Sequence, residues 1–112
     1  MTNAKRKLAA ILAADAVGYS RLMADDERAT IETLNAHREV FRHHVEAHDG
    51  RVVDTAGDSV LAVFDSVVEA VHSGIEIQKN LQKHNTKMAE IRRMMFRIGI
   101  NLGDVFVQDD GT

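Results

Sequence analysis

Every position from Leu8 to Ala14 is apolar, and the run then meets Asp15. An unbroken apolar stretch closed by an acid is the pattern of a central strand buried on both faces. Residues 18-GYSRLM-23 permit a short helical turn, and Asp25 or Asp26 is placed to cap a longer helix. That helix carries Ile31, Leu34, Phe41 and Val45 on one side, with Glu32, Arg38, Glu39 and Arg42 elsewhere. Gly50 is expected to end it as a left-handed C-terminal residue.

Two strands follow, Arg51 to Ala56 and Ser59 to Phe64, joined at Gly57-Asp58. A glycine in the first turn position suits a type II′ hairpin. Next, 66-SVVE-69 reads as a capping box in which Ser66 and Glu69 satisfy each other's amides. The helix it opens runs through Val67, Val71, Ile75 and Leu81 and ends among Lys79, Lys83 and Lys87, as the macrodipole prefers. Met95 to Leu102 reads as a strand, Gly103-Asp104 as a second tight turn, and Val105 to Val107 as the start of a fifth strand. The closing 108-QDDGT-112 has turn composition. The order β-α-β-β-α-β predicts an α+β fold, a ferredoxin-like split βαβ sandwich with an antiparallel-rich sheet, cut after the fifth strand begins.

With 112 residues the chain has room for a single domain spanning 1–112 with one modest core. A net charge of −3 with 28% charged residues gives no basic excess for nucleic acid or a polybasic membrane contact. No segment approaches the ~20 apolar residues of a membrane span. The basic-then-apolar start, 4-AKRKLAAILAAD-15, mimics a secretion signal, but its apolar core is short and a buried strand is the preferred reading. The lack of cysteine excludes disulfides and thiolate metal sites, and a cytoplasmic location is the expectation.

Topology changes the meaning of two acids. In a split βαβ unit the first two strands are parallel and the third lies antiparallel between them. Asp15, closing the first strand, and Asp58, opening the third, then meet at one end of the sheet. Carboxylates placed together repel, and a hard divalent cation with oxygen ligands, Mg²⁺ or Mn²⁺, neutralises them naturally. The amides of 17-VGYS-20 begin a helix beside them and offer an anion site. Metal-binding acids next to such a turn point to two-metal phosphoryl or nucleotidyl transfer. The plainer uses, Asp15 as a helix cap and Asp58 as a turn former, fit the spacing as well.

The blocks 13-AADAVGYSRLM-23, 50-GRVVDTAGDSVLAVF-64 and 96-FRIGINLGDV-105, in this order, resemble the class III nucleotide cyclase catalytic domain, the adenylate/guanylate cyclase family, in its bacterial branch. The resemblance implies ATP or GTP as substrate, a 3′,5′-cyclic nucleotide and pyrophosphate as products, and two Mg²⁺ or Mn²⁺ ions. It assigns Asp15, Asp58 and the carbonyl of Ala16 to the metals, and the amides of Val17, Gly18, Tyr19 and Ser20 to phosphate. It also implies a head-to-tail homodimer of the full-length domain.

Two departures qualify it. Many members carry a lysine where this chain has Asp54, and an ionised carboxylate can only accept hydrogen bonds. Asp54 is therefore the candidate base-reading residue, able to accept from adenine or from guanine, with an exposed acid on a strand as the plain alternative. The family's transition-state asparagine and arginine would lie beyond Thr112, so the stretch reads as the front half of a catalytic domain. Alone it is expected to be inactive, with no catalytic residue beyond the metal ligands. A regulatory or dimerisation module that keeps the fold, or another palm-like two-metal enzyme, are the competing readings. His44 and His48 are spaced to bind zinc from one helix, though solvated histidines complementing the helix C-terminus are the favoured reading. The 42-RHH-44 and 92-RR-93 runs are read as solvated surface.

Overall fold

The computed structural model describes residues 5–107. Its strands are β1 (Lys5–Ala16), β2 (Arg51–Asp54), β3 (Ser59–Phe64) and β4 (Phe96–Val107). Its helices are α1 (Tyr19–Asp25), α2 (Glu27–Ala47) and α3 (Val67–Thr86), and a 3-10 turn at Glu90–Arg92 leads into β4. The strands form one sheet in the order β2-β3-β1-β4, with each neighbouring pair antiparallel. Because β3 lies between β1 and β2, those two strands run parallel, as the split βαβ reading requires. No helix among the described residues is long and apolar enough to cross a membrane.

Side chains alternate along β1. Ala10, Leu12, Ala14 and Ala16 are buried in the core with Leu34, Phe41 and Val45 of α2 and Ala70, Ile77 and Leu81 of α3. Ile11, Ala13 and Asp15 point to the opposite face and stay half-buried or exposed. Apart from Ala9, the expected burial on both faces does not occur, because both long helices cover the same side and leave the other open. Phe41 and Phe64 are almost fully enclosed, each contributing about 1.5–3 kcal/mol of apolar burial.

The helix stripes also differ from the sequence reading. On α3 the buried positions are Ala70, Ser73, Gly74, Ile77 and Leu81, whereas Val67, Val71 and Ile75 are 41–48% exposed. Small residues face the sheet because the helix sits close to it: a Cβ on Gly74 would lie 3.6 Å from Ile100. On α2, Ile31 is likewise exposed, while Thr30, Thr33 and His37 are buried. Only half of the capping box forms. Ser66 Oγ accepts from the Glu69 amide at 3.3 Å, but the Glu69 carboxylate turns to His48 at 2.8 Å.

Two glycine assignments change. The left-handed residue after α2 is Asp49 (φ 60°), not Gly50. The Asp49 amide donates to the Glu46 carbonyl and the Gly50 amide to that of Val45, which together make a Schellman motif. Gly50 is there for space, since a Cβ would lie 2.4 Å from the Phe64 ring. Gly103-Asp104 is not a turn. β4 continues through it, pairing with β1 from Ala16↔Phe96 to Lys5↔Val107, so Val105 to Val107 extend β4 and no fifth strand begins among the described residues. Gly103 makes room for Ile11, whose Cδ1 would be 2.8 Å from an added Cβ. Asp104 pairs with Arg6 across the ladder at 3.3 Å. The turn expected over 108–112 lies outside the described residues.

Candidate metal and nucleotide site

The end of β1 is where the sheet gathers its charged groups. Asp15 stands opposite Ser59 of β3 on one side and Arg97 of β4 on the other. Asp58, immediately before β3, is thereby brought alongside, and its Oδ2 accepts from the Ala16 amide at 3.2 Å. Asp58 thus reaches the residue that follows Asp15, at the strand end the topology indicated. The side-chain partner of Asp15 is Arg97, whose Nε donates to its Oδ1 at 3.0 Å, with the two side chains 45% and 74% exposed.

The turn that aims Asp58 is tight. Gly57 adopts φ 57°, a left-handed conformation that glycine takes without steric cost, and the Ser59 amide closes the turn on the Ala56 carbonyl at 3.0 Å. β2 ends earlier than expected, at Asp54, with a bulge between Val52 and Asp54. Bulges re-aim side chains next to functional sites. Here Asp54 falls opposite Leu61 and lines a shallow depression of about 600 Å³ on the open face of the sheet. Asp15, Ser59, Leu61, Arg97 and Gly99 line it too. Asp58 is not part of that lining.

The 17–20 turn is divided in its uses. Gly18, at φ 67°, caps α1, and its carbonyl receives the Leu22 amide at 3.1 Å. The Val17 amide already donates to the Met95 carbonyl at 2.8 Å, so it is committed to the sheet rather than available to an anion. The amides of Tyr19 and Ser20 stand in the first turn of α1, where helix geometry provides no intrahelical acceptor. Tyr19 packs against the core and Ser20 is exposed.

Two arginines escaped the sequence reading. Arg97 sits inside the 96-FRIGINLGDV-105 block, but only the β1–β4 register reveals that it faces Asp15. Arg92, read as solvated, is 17% exposed and donates to Asp25 Oδ2 at 2.9 Å, Thr30 Oγ1 at 2.7 Å and the Leu22 carbonyl at 3.3 Å. It fastens the end of α1 to the start of α2. His44 and His48 do not pool as ligands. His44 meets Asn80 at 2.9 Å and His48 meets Glu69 at 2.8 Å, each reaching from α2 to α3.

Among the described residues no three His, Cys, Asp or Glu side chains form a ready-made metal cage. The groups that could hold an ion at the end of β1 are the carboxylates of Asp15 and Asp58 and the backbone carbonyl of Ala16, all oxygen. That chemistry fits Mg²⁺ or Mn²⁺, which keep several waters and share substrate phosphates instead of requiring an all-protein shell.

Residues 2–112 match the family described as the adenylate and guanylate cyclase catalytic domain. The chain belongs to this cyclase family. It is 47% identical over 106 residues to the protein named "Putative adenylate cyclase 3" of Rhizobium meliloti, a match covering 94% of this chain and 18% of that protein. It also superposes on the crystal structure of an adenylate/guanylate cyclase/hydrolase from Silicibacter pomeroyi with TM-score 0.84 and 39% identity, covering 98% of this chain and 64% of that one. A bacterial light-regulated adenylyl cyclase shares the fold at TM-score 0.86 and 18% identity, with 95% of this chain and 33% of that chain covered. The cyclase stretch thus spans less than two thirds of the length of these relatives.

Proposed function

We propose that this cyclase-family chain holds the metal ions and the triphosphate of ATP or GTP for conversion to a 3′,5′-cyclic nucleotide. The observation that carries the reading is the Asp58–Ala16 hydrogen bond, which brings the second acid to the end of the strand that bears the first. Asp15, Asp58 and the Ala16 carbonyl would hold the two ions. When bound, Mg²⁺ or Mn²⁺ supplies Lewis acidity that favours the ionised ribose 3′-hydroxyl and neutralises charge on the leaving pyrophosphate.

The remaining roles belong to the chain itself. The Tyr19 and Ser20 amides are placed to donate to phosphate oxygens. Arg97 pairs with Asp15, and its guanidinium would be available to a phosphate oxygen were Asp15 to hold an ion. Asp54 accepts from the base at the wall of the same depression. In the reaction the 3′-oxygen bonds to the α-phosphorus, the bond from that phosphorus to pyrophosphate breaks with its electron pair on the pyrophosphate oxygen, and the hydroxyl proton passes to water. Groups that stabilise the transition-state charge are a separate requirement, each worth ~10²–10³ in rate. We place turnover in a homodimer of the cyclase domain.

The test uses binding. Titration calorimetry with a non-hydrolysable ATP or GTP analogue is expected to give heat in the presence of Mn²⁺ and none with EDTA. Asp15→Asn and Asp58→Asn should each remove it. Binding of equal strength with EDTA would overturn the proposal.

A further inference from the structure

The hairpin turn that carries Asp58 is held from behind by α2. β2 stops at Asp54 and β3 starts at Ser59, so the carbonyls between them fall outside the strand ladder. The Ala56 carbonyl is taken by the Ser59 amide. Those of Thr55 and Gly57 are taken by one side chain, Arg38, whose Nη2 donates to Thr55 at 3.0 Å and also to Gly57. Its Nη1 leans on Asn35 Oδ1 of the same helix at 3.4 Å. The guanidinium is partly enclosed, and its Nε is buried without a partner.

We infer that Arg38 is a positioning residue for the metal site. This rests on the reading of Asp15 and Asp58 as metal ligands. Its two carbonyl acceptors lie in the short turn between Asp54 and Ser59, directly after one site acid and directly before the other. Fixing Thr55 sets how the chain leaves Asp54. Fixing Gly57 sets the peptide from which Asp58 projects toward the Ala16 amide. A purely architectural staple is a poorer account, because Leu34, Phe41 and Val45 already anchor α2 in the core. An oriented turn matters to a cation that accepts only a narrow ligand geometry. Residues that orient ligands in this way are typically worth 10–100-fold in metal affinity.

The experiment uses the full chain with Mn²⁺ as the probe, its affinity read from loss of the free-ion paramagnetic resonance signal. Hydrogen exchange of the Ala16 amide is read by NMR without metal. Arg38→Met is expected to weaken Mn²⁺ binding about tenfold and to speed Ala16 exchange about tenfold, with the Leu12 and Ile100 amides unchanged. Arg38→Lys keeps the charge on a shorter side chain and should recover part of both effects. Asp58→Ala, which removes the acceptor, sets the limit for each readout. Should the wild type bind no Mn²⁺, the metal reading fails and Ala16 exchange alone decides the role of Arg38. Unchanged Ala16 exchange in Arg38→Met, or a uniform acceleration across the sheet, overturns the inference.

Discussion

Asp58 accepts a hydrogen bond from the Ala16 amide at 3.2 Å, a contact spanning 42 positions of sequence. It joins a hairpin turn to the end of a central strand. Loss of the acceptor leaves a partly buried amide without its partner, a cost of about 1–3 kcal/mol. Asp58→Ala is therefore expected to lower the melting temperature by several degrees even without metal, measured by calorimetry.

The Arg97–Asp15 pair separates stability from binding. Both side chains are substantially exposed, so the pair contributes only about 0–1 kcal/mol to folding. Arg97→Met should leave the melting temperature almost unchanged while weakening Mn²⁺-dependent binding of a triphosphate analogue about tenfold, since a charge-assisted phosphate contact disappears. Equal affinity in the variant, measured by calorimetry, would remove Arg97 from the site.

Asp54 is the proposed base-reading residue. Its exposed carboxylate lines the depression beside Asp15, where it can only accept hydrogen bonds. Asp54→Lys converts an acceptor into a donor. The ratio of ATP-analogue to GTP-analogue affinity is expected to change at least several-fold, and an unchanged ratio would show that Asp54 does not touch the base.

His37 predicts a pH dependence remote from the site. Its ring is fully buried, with Nε2 2.9 Å from His84 Nδ1 of α3 and its edge against the neutral Phe96 ring of β4. Burial first, and then the neighbouring His84, lower its pKa from 6.5 to about 4. The unfolded chain takes up a proton near pH 6.5 that the folded chain refuses until about pH 4. The contribution is complete above pH 6.5 and is lost as pH falls through that window, on the order of 3 kcal/mol in all. Urea unfolding at pH 7 and at pH 4.5 measures it, and His37→Leu should flatten the difference.

Much of the fold was legible because the chain's strand and helix signals are local: the Asp26 cap, the Ser66 cap, the Gly57 turn and the period of the apolar residues. The arrival of Asp58 at the end of β1 was legible too, because the β-α-β-β order fixes which strand ends coincide. Features set by close packing were not. Val67, Val71 and Ile75 form the more hydrophobic stripe of α3, yet Ala70, Ser73 and Gly74 face the sheet because small residues allow the closer approach. Gly103 looked like a turn, and only the pairing of β1 with β4 shows it yielding space to Ile11. Arg38 and Arg92 sit among ordinary polar residues in sequence, and their importance comes from carbonyls and side chains far along the chain.

Thermal unfolding with and without Mn²⁺ shows whether Asp15 and Asp58 together hold a divalent cation. At ~100-fold excess over the dissociation constant, a single bound ion stabilises by about 2.7 kcal/mol, a rise of several degrees. That rise is expected in the wild type, and its loss in both Asp15→Asn and Asp58→Asn. A rise of the same size in either variant would contradict joint binding by the two acids.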